Sequence, residues 1–224
     1  MARTALSRSA LPRSSTVTDP VTQQARWVLA SDNAGKIREF NELLAPLAVT
    51  VLPQGDFGVS SAEETACTFV ENALIKARHA CEQTGLPALA DDSGIAVDAL
   101  QGAPGIYSAR YAGAGASDQD NIDALLAAMA DVPEGERQAA YHCVLVFMTH
   151  ATDPTPLICH GRWQGELLTA PTGTGGFGYD PLFYLPEEGV SVANLPSGRK
   201  RLLSHRAQAL HQLMASLGLH SSAP

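Results

Sequence analysis

Short apolar runs that alternate with stretches of helical periodicity constrain the fold of this chain more than any other feature. Trp27 to Ala30 is an apolar run that ends in the polar turn Ser31-Asp32-Asn33, and apolar residues then recur at helical spacing from Ile37 to Leu47. The runs Tyr141 to Met148 and Leu157 to Leu168 are neighbours with no helical period between them. The pattern predicts an α/β fold with a mixed sheet.

The same periodicities place the remaining elements. They predict helices over Thr65 to Thr84, from Ser117 to about Ala130, and over Ser197 to Leu217. A strand at Leu86 to Ala90 runs into Asp91-Asp92-Ser93-Gly94, which we interpret as a tight polar bend, with a strand resuming at Ile95. Two acids are therefore expected at a break between strands.

Charge and composition exclude several classes of partner. The 224 residues carry a net charge of −8, so no broad basic face is available to neutralise a nucleic-acid backbone. No apolar run approaches about eighteen residues, so no membrane span is expected. The four cysteines each lie among apolar neighbours, and no two of them form a CxxC pair. This pattern predicts reduced core thiols in a cytoplasmic protein; the cysteines are Cys67, Cys81, Cys143 and Cys159.

The first 25 residues differ from the rest of the chain. They contain Arg3, Arg8 and Arg13, several Ser and Thr, and no sustained apolar period. Such a segment cannot bury much surface, so residues 1–25 are predicted to be a disordered extension. An Arg-rich, acid-poor start is also compatible with an organellar presequence, although the amphipathic pattern is weak. Residues 26–224 are predicted to form a single α/β domain.

Asn33-Ala34-Gly35-Lys36 follows a predicted strand and begins a predicted helix. Main-chain N–H groups, the helix dipole and an ammonium can converge there on an anion, which suits a phosphate. A Walker A loop is excluded, because Ala30 stands where its first glycine would fall and Ile37 follows the lysine. An ordinary capped turn with a solvated lysine is the alternative.

Asp91 and Asp92 lie in an otherwise apolar segment. Adjacent buried carboxylates are costly unless they share a cation or a proton, and Mg²⁺ takes carboxylate, phosphate and water oxygens. One acid could then accept the proton of an attacking water. Glu63 or Glu64 could supply a further ligand, and a plain β-bend is the alternative for the aspartates.

Two later segments suit recognition of a flat base. Gly175-Gly176-Phe177-Gly178-Tyr179-Asp180-Pro181 combines flexible backbone with two aromatic rings and an acid. Ser204-His205-Arg206, with Lys200 upstream, offers several hydrogen-bond donors and one titratable ring. A Gly-rich turn over core aromatics and a solvated helix face are the respective alternatives.

Taken together, these segments resemble the family of inosine triphosphate pyrophosphatases, also called non-canonical purine NTP pyrophosphatases. The resemblance covers roughly residues 27–217. Its most specific motifs are Ala30-Ser31-Asp32-Asn33-Ala34-Gly35-Lys36, Thr68-Phe69-Val70-Glu71-Asn72-Ala73, Ala90-Asp91-Asp92-Ser93-Gly94, residues 102–111, residues 175–181 and Ser204-His205-Arg206. The resemblance implies Mg²⁺-dependent hydrolysis of ITP, dITP and XTP to the monophosphate and pyrophosphate. It also implies a homodimer in which an elongated mixed sheet, flanked by helices, joins two lobes around a substrate cleft.

The resemblance also implies roles for individual residues. Six consecutive residues would hold the triphosphate: Ser31, Asp32, Asn33, Ala34, Gly35 and Lys36. Asp92 would be general base and metal ligand, Glu63 would help to bind Mg²⁺, and Ser93 would contact the substrate. Phe177, Gly178, Tyr179 and Asp180 would frame the base, with Lys200, His205 and Arg206 completing the pocket.

The implied specificity has a physical reason. A 6-oxo purine presents an acceptor where adenine presents a donor, so the donors of His205 and Arg206 would favour inosine and xanthine. Guanine shares that oxygen, so its rejection would require a further contact.

Two positions depart from the family pattern. Asp32 stands where glycine is frequent and would add negative charge near the phosphates, and Asn194 to Arg199 replaces acidic helix-forming residues before Lys200. Two other functions remain open: a pyrophosphatase for modified pyrimidine nucleotides and a nucleotide sensor without turnover.

Overall fold

The computed structural model describes residues 25–218, so the predicted N-terminal extension lies almost wholly outside the described residues. The helices and strands follow one another along the chain as β1 (Ala25–Leu29), α1 (Ala34–Leu44), β2 (Val49–Pro53), α2 (Phe69–Thr84), β3 (Ala88–Val97), α3 (Asp118–Ala128), β4 (Gln138–Met148), β5 (Leu157–Leu167), β6 (Phe183–Leu185), β7 (Val190–Ser191), α4 (Ser197–Leu203) and α5 (His205–Ser216). No helix within the described range has the length and apolar character needed to cross a bilayer.

The strands form one seven-stranded mixed sheet in the order β2-β1-β3-β4-β5-β6-β7. β1 pairs in parallel with β2 and β3, and every later pairing is antiparallel. The predicted mixed α/β sheet flanked by helices is confirmed. The parallel part follows from the helical connections, since a parallel neighbour needs a crossover.

Only the first two residues of one edge of β3 are paired with the neighbouring strand β1. β1 pairs with β3 only through Val28 with Ala88 and Leu29 with Leu89, whereas β4 pairs with β3 as far as Val97. Beyond Leu89 the β3 edge faces the 3-10 segment Gly105–Arg110, from which Ser108 Oγ accepts a hydrogen bond from the Ile95 N–H. The gap between the end of β1 and this segment is where the candidate site lies.

The apolar core divides on either side of that gap. Leu89 belongs to a cluster that includes residues of α1 and α5. Ala90 belongs to a second cluster, which includes residues of α2. Ile95 and Val97, farther along β3, belong to a third cluster with α3, β5 and β6 residues. The polar residues Asp91 to Gly94 lie between these apolar parts, which is the arrangement of two lobes around a cleft.

The predicted bend at Asp91-Asp92-Ser93-Gly94 is wrong, because β3 is continuous through it and paired with β4 throughout. Gly94 is not a turn residue: a Cβ there would lie 2.4 Å from the Gly105 carbonyl oxygen and 2.5 Å from Ser108 Oγ. Glycine in a strand marks such a close approach of another chain segment. The acids therefore lie within a strand and not at a break.

The last predicted helix is also corrected. Ser204 has a ψ of 154°, which separates α4 from α5, and its side chain accepts a hydrogen bond from the Ala207 N–H as the N-cap of α5. Since serine is a favoured N-cap, the helix restarts at His205. The cysteine prediction needs a correction too: Cys81, Cys143 and Cys159 are buried, but Cys67 is exposed.

Candidate active site

A cavity of about 350 Å³ opens at the free edge of β3. It is lined by residues from both lobes, many of them charged: Lys36, Glu64, Lys76, Asp92, Ser93, Gly94, Ile106, Ser108, Ala109, Arg110, Asp118, Asn121, Tyr141, Phe177, Gly178, Tyr179, Asp180, Lys200, His205 and Arg206. A second concavity of about 540 Å³ beside β5 is larger, but its lining includes neither of the strand aspartates. Convergent polar groups, not volume, identify the β3 cavity as the candidate site.

Asp91 and Asp92 point to opposite faces of the sheet, because successive side chains of a strand alternate. Asp91 faces α1 and α5, where its carboxylate contacts Lys36 and Arg206. Asp92 faces α2, where it contacts Lys76. The aspartates therefore do not share one cation, and only Asp92 lines the cavity.

Asp92 belongs to a cluster with Lys76 and Glu64. Lys76 Nζ lies 2.9 Å from Asp92 Oδ1 and 2.9 Å from Glu64 Oε1. The other oxygen, Asp92 Oδ2, is buried without a hydrogen-bond partner. Burial, together with the nearby charges of Glu64 and Asp91, raises the pKa of Asp92 by more than Lys76 lowers it, so its pKa lies above the usual value. An unpartnered carboxylate oxygen of this kind is poised to accept a proton or a cation.

Glu64, and not the predicted Glu63, reaches this cluster. Side-chain exposure alternates along residues 61–66 before α2, so Glu63 and Glu64 face different surroundings. Glu63 is exposed, whereas Glu64 lines the cavity and also lies 3.5 Å from Arg110 Nη1. Burial raises the pKa of Glu64, but Lys76 and Arg110 lower it more, so Glu64 is held in its charged form.

Two carboxylates that meet at one ammonium have the chemistry of a site for a hard divalent cation. Asp92 Oδ2 is a buried oxygen still able to accept a ligand, and the single positive charge of Lys76 offsets only one of the two carboxylates that it contacts. Within residues 25–218, no three His, Cys, Asp or Glu side chains are grouped as a ready-made metal site. The residues fit an ion that takes its remaining ligands from phosphate and water.

The N-terminus of α1 presents Lys36 to the cavity. Asn33 is the N-cap, with its side chain accepting from the Lys36 N–H, and the ammonium of Lys36 extends toward β3. Of the predicted stretch from Ser31 to Lys36, only Lys36 lines the cavity. Ser31 Oγ instead accepts from the Asn33 N–H, so it stabilises the turn before the helix.

Asp32 does not place its charge toward the cavity. Its carboxylate accepts hydrogen bonds from the Gly55 N–H at 2.7 Å and from Gln54 Nε2 at 3.4 Å. These contacts tie the loop before α1 to the segment after β2. The expected weakening of phosphate binding by Asp32 is therefore not supported by the position of this side chain.

His205 and Arg206 are the first residues of α5, and each has a buried nitrogen without a partner, Nδ1 of His205 and Nε of Arg206. The His205 ring stacks on Tyr141 at 4.9 Å between centroids. Burial, together with nearby Arg206 and Lys200, lowers the pKa of His205 well below its usual value, so the ring is neutral. A neutral ring and a guanidinium thus offer unused hydrogen-bonding groups to a ligand.

Phe177 and Asp180 have different roles in the Gly-rich loop. Phe177 is 65% exposed, and Lys200 Nζ lies 4.5 Å from its ring centroid. Asp180 is buried, and its carboxylate accepts hydrogen bonds from Lys200 Nζ and from the Phe177 N–H. Asp180 therefore holds the loop and Lys200 together, while the Phe177 ring is free to stack on a ligand.

The rest of the Gly-rich loop is hydrogen-bonded to α3 and to the 3-10 segment Gly105–Arg110. The Gly178 N–H donates to Asp118 at the start of α3, and the buried Tyr179 donates its hydroxyl to the Ser108 carbonyl. Lys200 reaches the cavity although the segment Asn194 to Arg199 departs from the family pattern, because α4 begins at Ser197.

Several cavity residues escaped the sequence analysis, notably Lys76, Arg110, Asp118 and Tyr141. Lys76 had a detectable signal: on α2 it shares a helix face with the buried Ala73, Ala77 and Ala80. A lysine among small buried residues needs an acidic partner. Arg110, Asp118 and Tyr141 come from separate elements, and no local pattern connects them.

Comparison with known proteins shows the family to which this chain belongs. The model of the Ham1 family matches residues 27–216. The dITP/XTP pyrophosphatase of Vibrio parahaemolyticus is 57% identical over 195 residues, covering 87% of this chain and 98% of that protein. The dITP/XTP pyrophosphatase of Escherichia coli K12 is 57% identical over 190 residues, covering 85% of this chain and 96% of that protein.

Solved structures are similar as well. A HAM1 protein from Coxiella burnetii superposes with a TM-score of 0.84 at 50% identity, covering 87% of this chain and 98% of the other. The Ham1 protein of Staphylococcus aureus gives a TM-score of 0.80 at 36% identity, covering 86% and 98%. Since the family model spans most of the chain, this protein belongs to the Ham1 family.

Proposed function

We propose that this protein is an enzyme that hydrolyses ITP, dITP and XTP to the nucleoside monophosphate and pyrophosphate. The observation that carries the proposal is the unpartnered, buried Asp92 Oδ2 in the same cavity as Lys36 and Arg206. One cavity thus combines a proton acceptor, phosphate-binding cations and base-binding donors. The relatives' names as dITP/XTP pyrophosphatases support the same reaction and the same purine substrates.

At the phosphate end, Lys36 and Lys76 would bind the triphosphate, and the N-terminus of α1 adds its dipole. Asp92 would orient a water molecule toward the α-phosphorus and accept its proton through Oδ2. The water oxygen would bond to that phosphorus as the bond from the phosphorus to the α–β bridging oxygen breaks, which gives the monophosphate and pyrophosphate. Asp92 and Glu64 would hold Mg²⁺, which when bound neutralises negative charge on the phosphate oxygens.

At the base end, the exposed Phe177 ring would stack on the purine, with Lys200 held beside it by Asp180. His205 and Arg206 would meet the oxidised edge of the base through their unpartnered nitrogens. A 6-oxo group accepts such hydrogen bonds, whereas the amino group of adenine would face donors. Ser93 also lines the cavity, where it would contact the substrate.

A panel of substrates tests this proposal. We expect pyrophosphate release from ITP, dITP and XTP in the presence of Mg²⁺, at least about 100-fold slower release from ATP, and loss of activity with a chelator. Preference for modified pyrimidine triphosphates would support the first alternative function instead. Tight binding of ITP with no turnover would support a nucleotide sensor.

The position of the metal is tested by two neighbouring variants. Glu64→Gln removes a charged ligand, so we expect the Mg²⁺ concentration for half-maximal activity to rise about 10-fold or more. Glu63→Gln is the matched control, because Glu63 is exposed and outside the cavity. Titrations of activity with Mg²⁺ measure both values. A larger shift for Glu63→Gln than for Glu64→Gln would return the role to Glu63.

We also propose a cytoplasmic homodimer without a nucleic-acid partner, as the resemblance implies. The net charge of −8 and the three buried cysteines are consistent with this proposal. Ile158 on β5 is 48% exposed and offers apolar surface for a contact with a second copy.

A further inference from the structure

Asp91 forms ion pairs with two cationic side chains that line the cavity, Lys36 and Arg206. Its side chain is 1% exposed and does not line the cavity. Asp91 Oδ1 lies 2.8 Å from Lys36 Nζ, and Oδ2 lies 3.4 Å from Arg206 Nη2. Each carboxylate oxygen therefore serves one cation, and the two cations come from different helices, α1 and α5.

Lys36 and Arg206 meet different parts of the proposed ligand. Both line the cavity; in the proposed function Lys36 binds the phosphates, and Arg206, with its unpartnered Nε, binds the base. The planar carboxylate of Asp91, on strand β3, contacts both cations and so links their positions. A shift of either helix would have to stretch a contact with the same carboxylate.

We propose that Asp91 is a positioning residue that fixes the spacing between the phosphate-binding Lys36 and the base-binding Arg206, so that both ends of one nucleotide are recognised together. The inference rests on the proposed function for the assignment of the two ends. Asp91 touches no substrate itself and acts through its two ion pairs.

The variant Asp91→Asn tests this role, because an asparagine has one acceptor oxygen and one donating amide group. It can satisfy Lys36 or Arg206 but turns an N–H toward the other. Asp91→Glu is the second variant: it lengthens the side chain by one methylene but keeps a buried negative charge beside the two cations, so we expect it to fold.

The matched control is Glu39→Gln. Glu39 Oε2 lies 3.5 Å from Arg206 Nη1, so this contact resembles the Asp91 contact in length but is not shared with Lys36. Removing it perturbs Arg206 alone. We expect Glu39→Gln to leave the affinity for inorganic tripolyphosphate unchanged.

Calorimetric binding separates the two ends without requiring turnover. Inorganic tripolyphosphate probes the phosphate end, and the preference for IMP over AMP probes the base end. In Asp91→Asn we expect tripolyphosphate affinity and the IMP preference to fall together, each about 10-fold or more, as for loss of a charged hydrogen bond. In Asp91→Glu we expect both to fall as well, with the melting temperature retained.

The inference is overturned if only one of the two affinities changes in the two variants, or if both affinities stay at the wild-type value, with or without a loss of thermal stability. A purely structural role predicts the latter result. Turnover of ITP by the wild-type enzyme is measured separately. Its absence would contradict the proposed function, whereas the two binding measurements would still decide the role of Asp91.

Discussion

Replacement of Asp92 by asparagine is expected to reduce the turnover of ITP about 1,000-fold, because the variant keeps the shape of the side chain but cannot accept a proton from water. The wild-type carboxylate has one oxygen, Oδ2, that is buried and unpartnered, and burial raises its pKa. Both properties favour proton acceptance. Single-turnover measurement of pyrophosphate release gives the rate.

Binding of ITP by the Asp92→Asn variant should survive, since Lys36, Arg206 and the Phe177 ring are unchanged. Calorimetry with ITP measures this affinity. Asp98→Asn is the matched control, because Asp98 is the next acid along the chain and is exposed outside the cavity. The control should retain wild-type turnover. Wild-type turnover in Asp92→Asn would remove Asp92 from the mechanism.

The fold could be predicted from the sequence where one local pattern decides the structure. The period of α2 and the serine before α3 give the helices, because periodicity and caps are properties of neighbouring residues. The strand β3 could not be predicted as continuous, because Asp-Asp-Ser-Gly reads locally as a bend. Its continuity depends on pairing with β4, some fifty residues away.

Several residues that the sequence singles out through a motif of their own lie in the candidate cavity. Lys36, Asp92, Phe177 and His205 all line the cavity. The choice between Glu63 and Glu64 depends on which of these two neighbouring side chains faces the cavity, and nothing in the local sequence decides this. The side chains of Asp91 and Asp92 lie on opposite faces of the sheet because this segment is a strand and not a bend. These are tertiary consequences, and the pairing of strands had to be known first.

Gly161 on β5 explains how His205 and Arg206 come to stand over the cavity. A Cβ at this position would lie 1.8 Å from the His205 carbonyl oxygen and 2.8 Å from the Ala209 N atom. Both atoms belong to the backbone of α5, so no side-chain rotation can make room. The start of α5 therefore approaches the sheet as closely as it does only because residue 161 has no side chain.

Gly161→Ala is accordingly expected to push the N-terminal turn of α5 off the sheet and to destabilise the protein by about 3 kcal/mol, at the upper end of overpacking costs. The melting temperature should fall by roughly 6–12 °C. Because His205 and Arg206 move with the helix, ITP affinity should fall in protein that is still folded at lower temperature. Thermal unfolding and calorimetric binding at a temperature well below the transition measure the two effects.

Gly198→Ala is the matched control for this change. Gly198 is an exposed residue of α4, and a Cβ there meets no atom within 4 Å. Alanine is a better helix former than glycine, so this variant should be as stable as the wild type or up to about 1 kcal/mol more stable. Its ITP affinity should be unchanged. If Gly161→Ala had wild-type stability and ITP affinity, α5 would not need its close contact with β5, and the placement of His205 and Arg206 would require another cause.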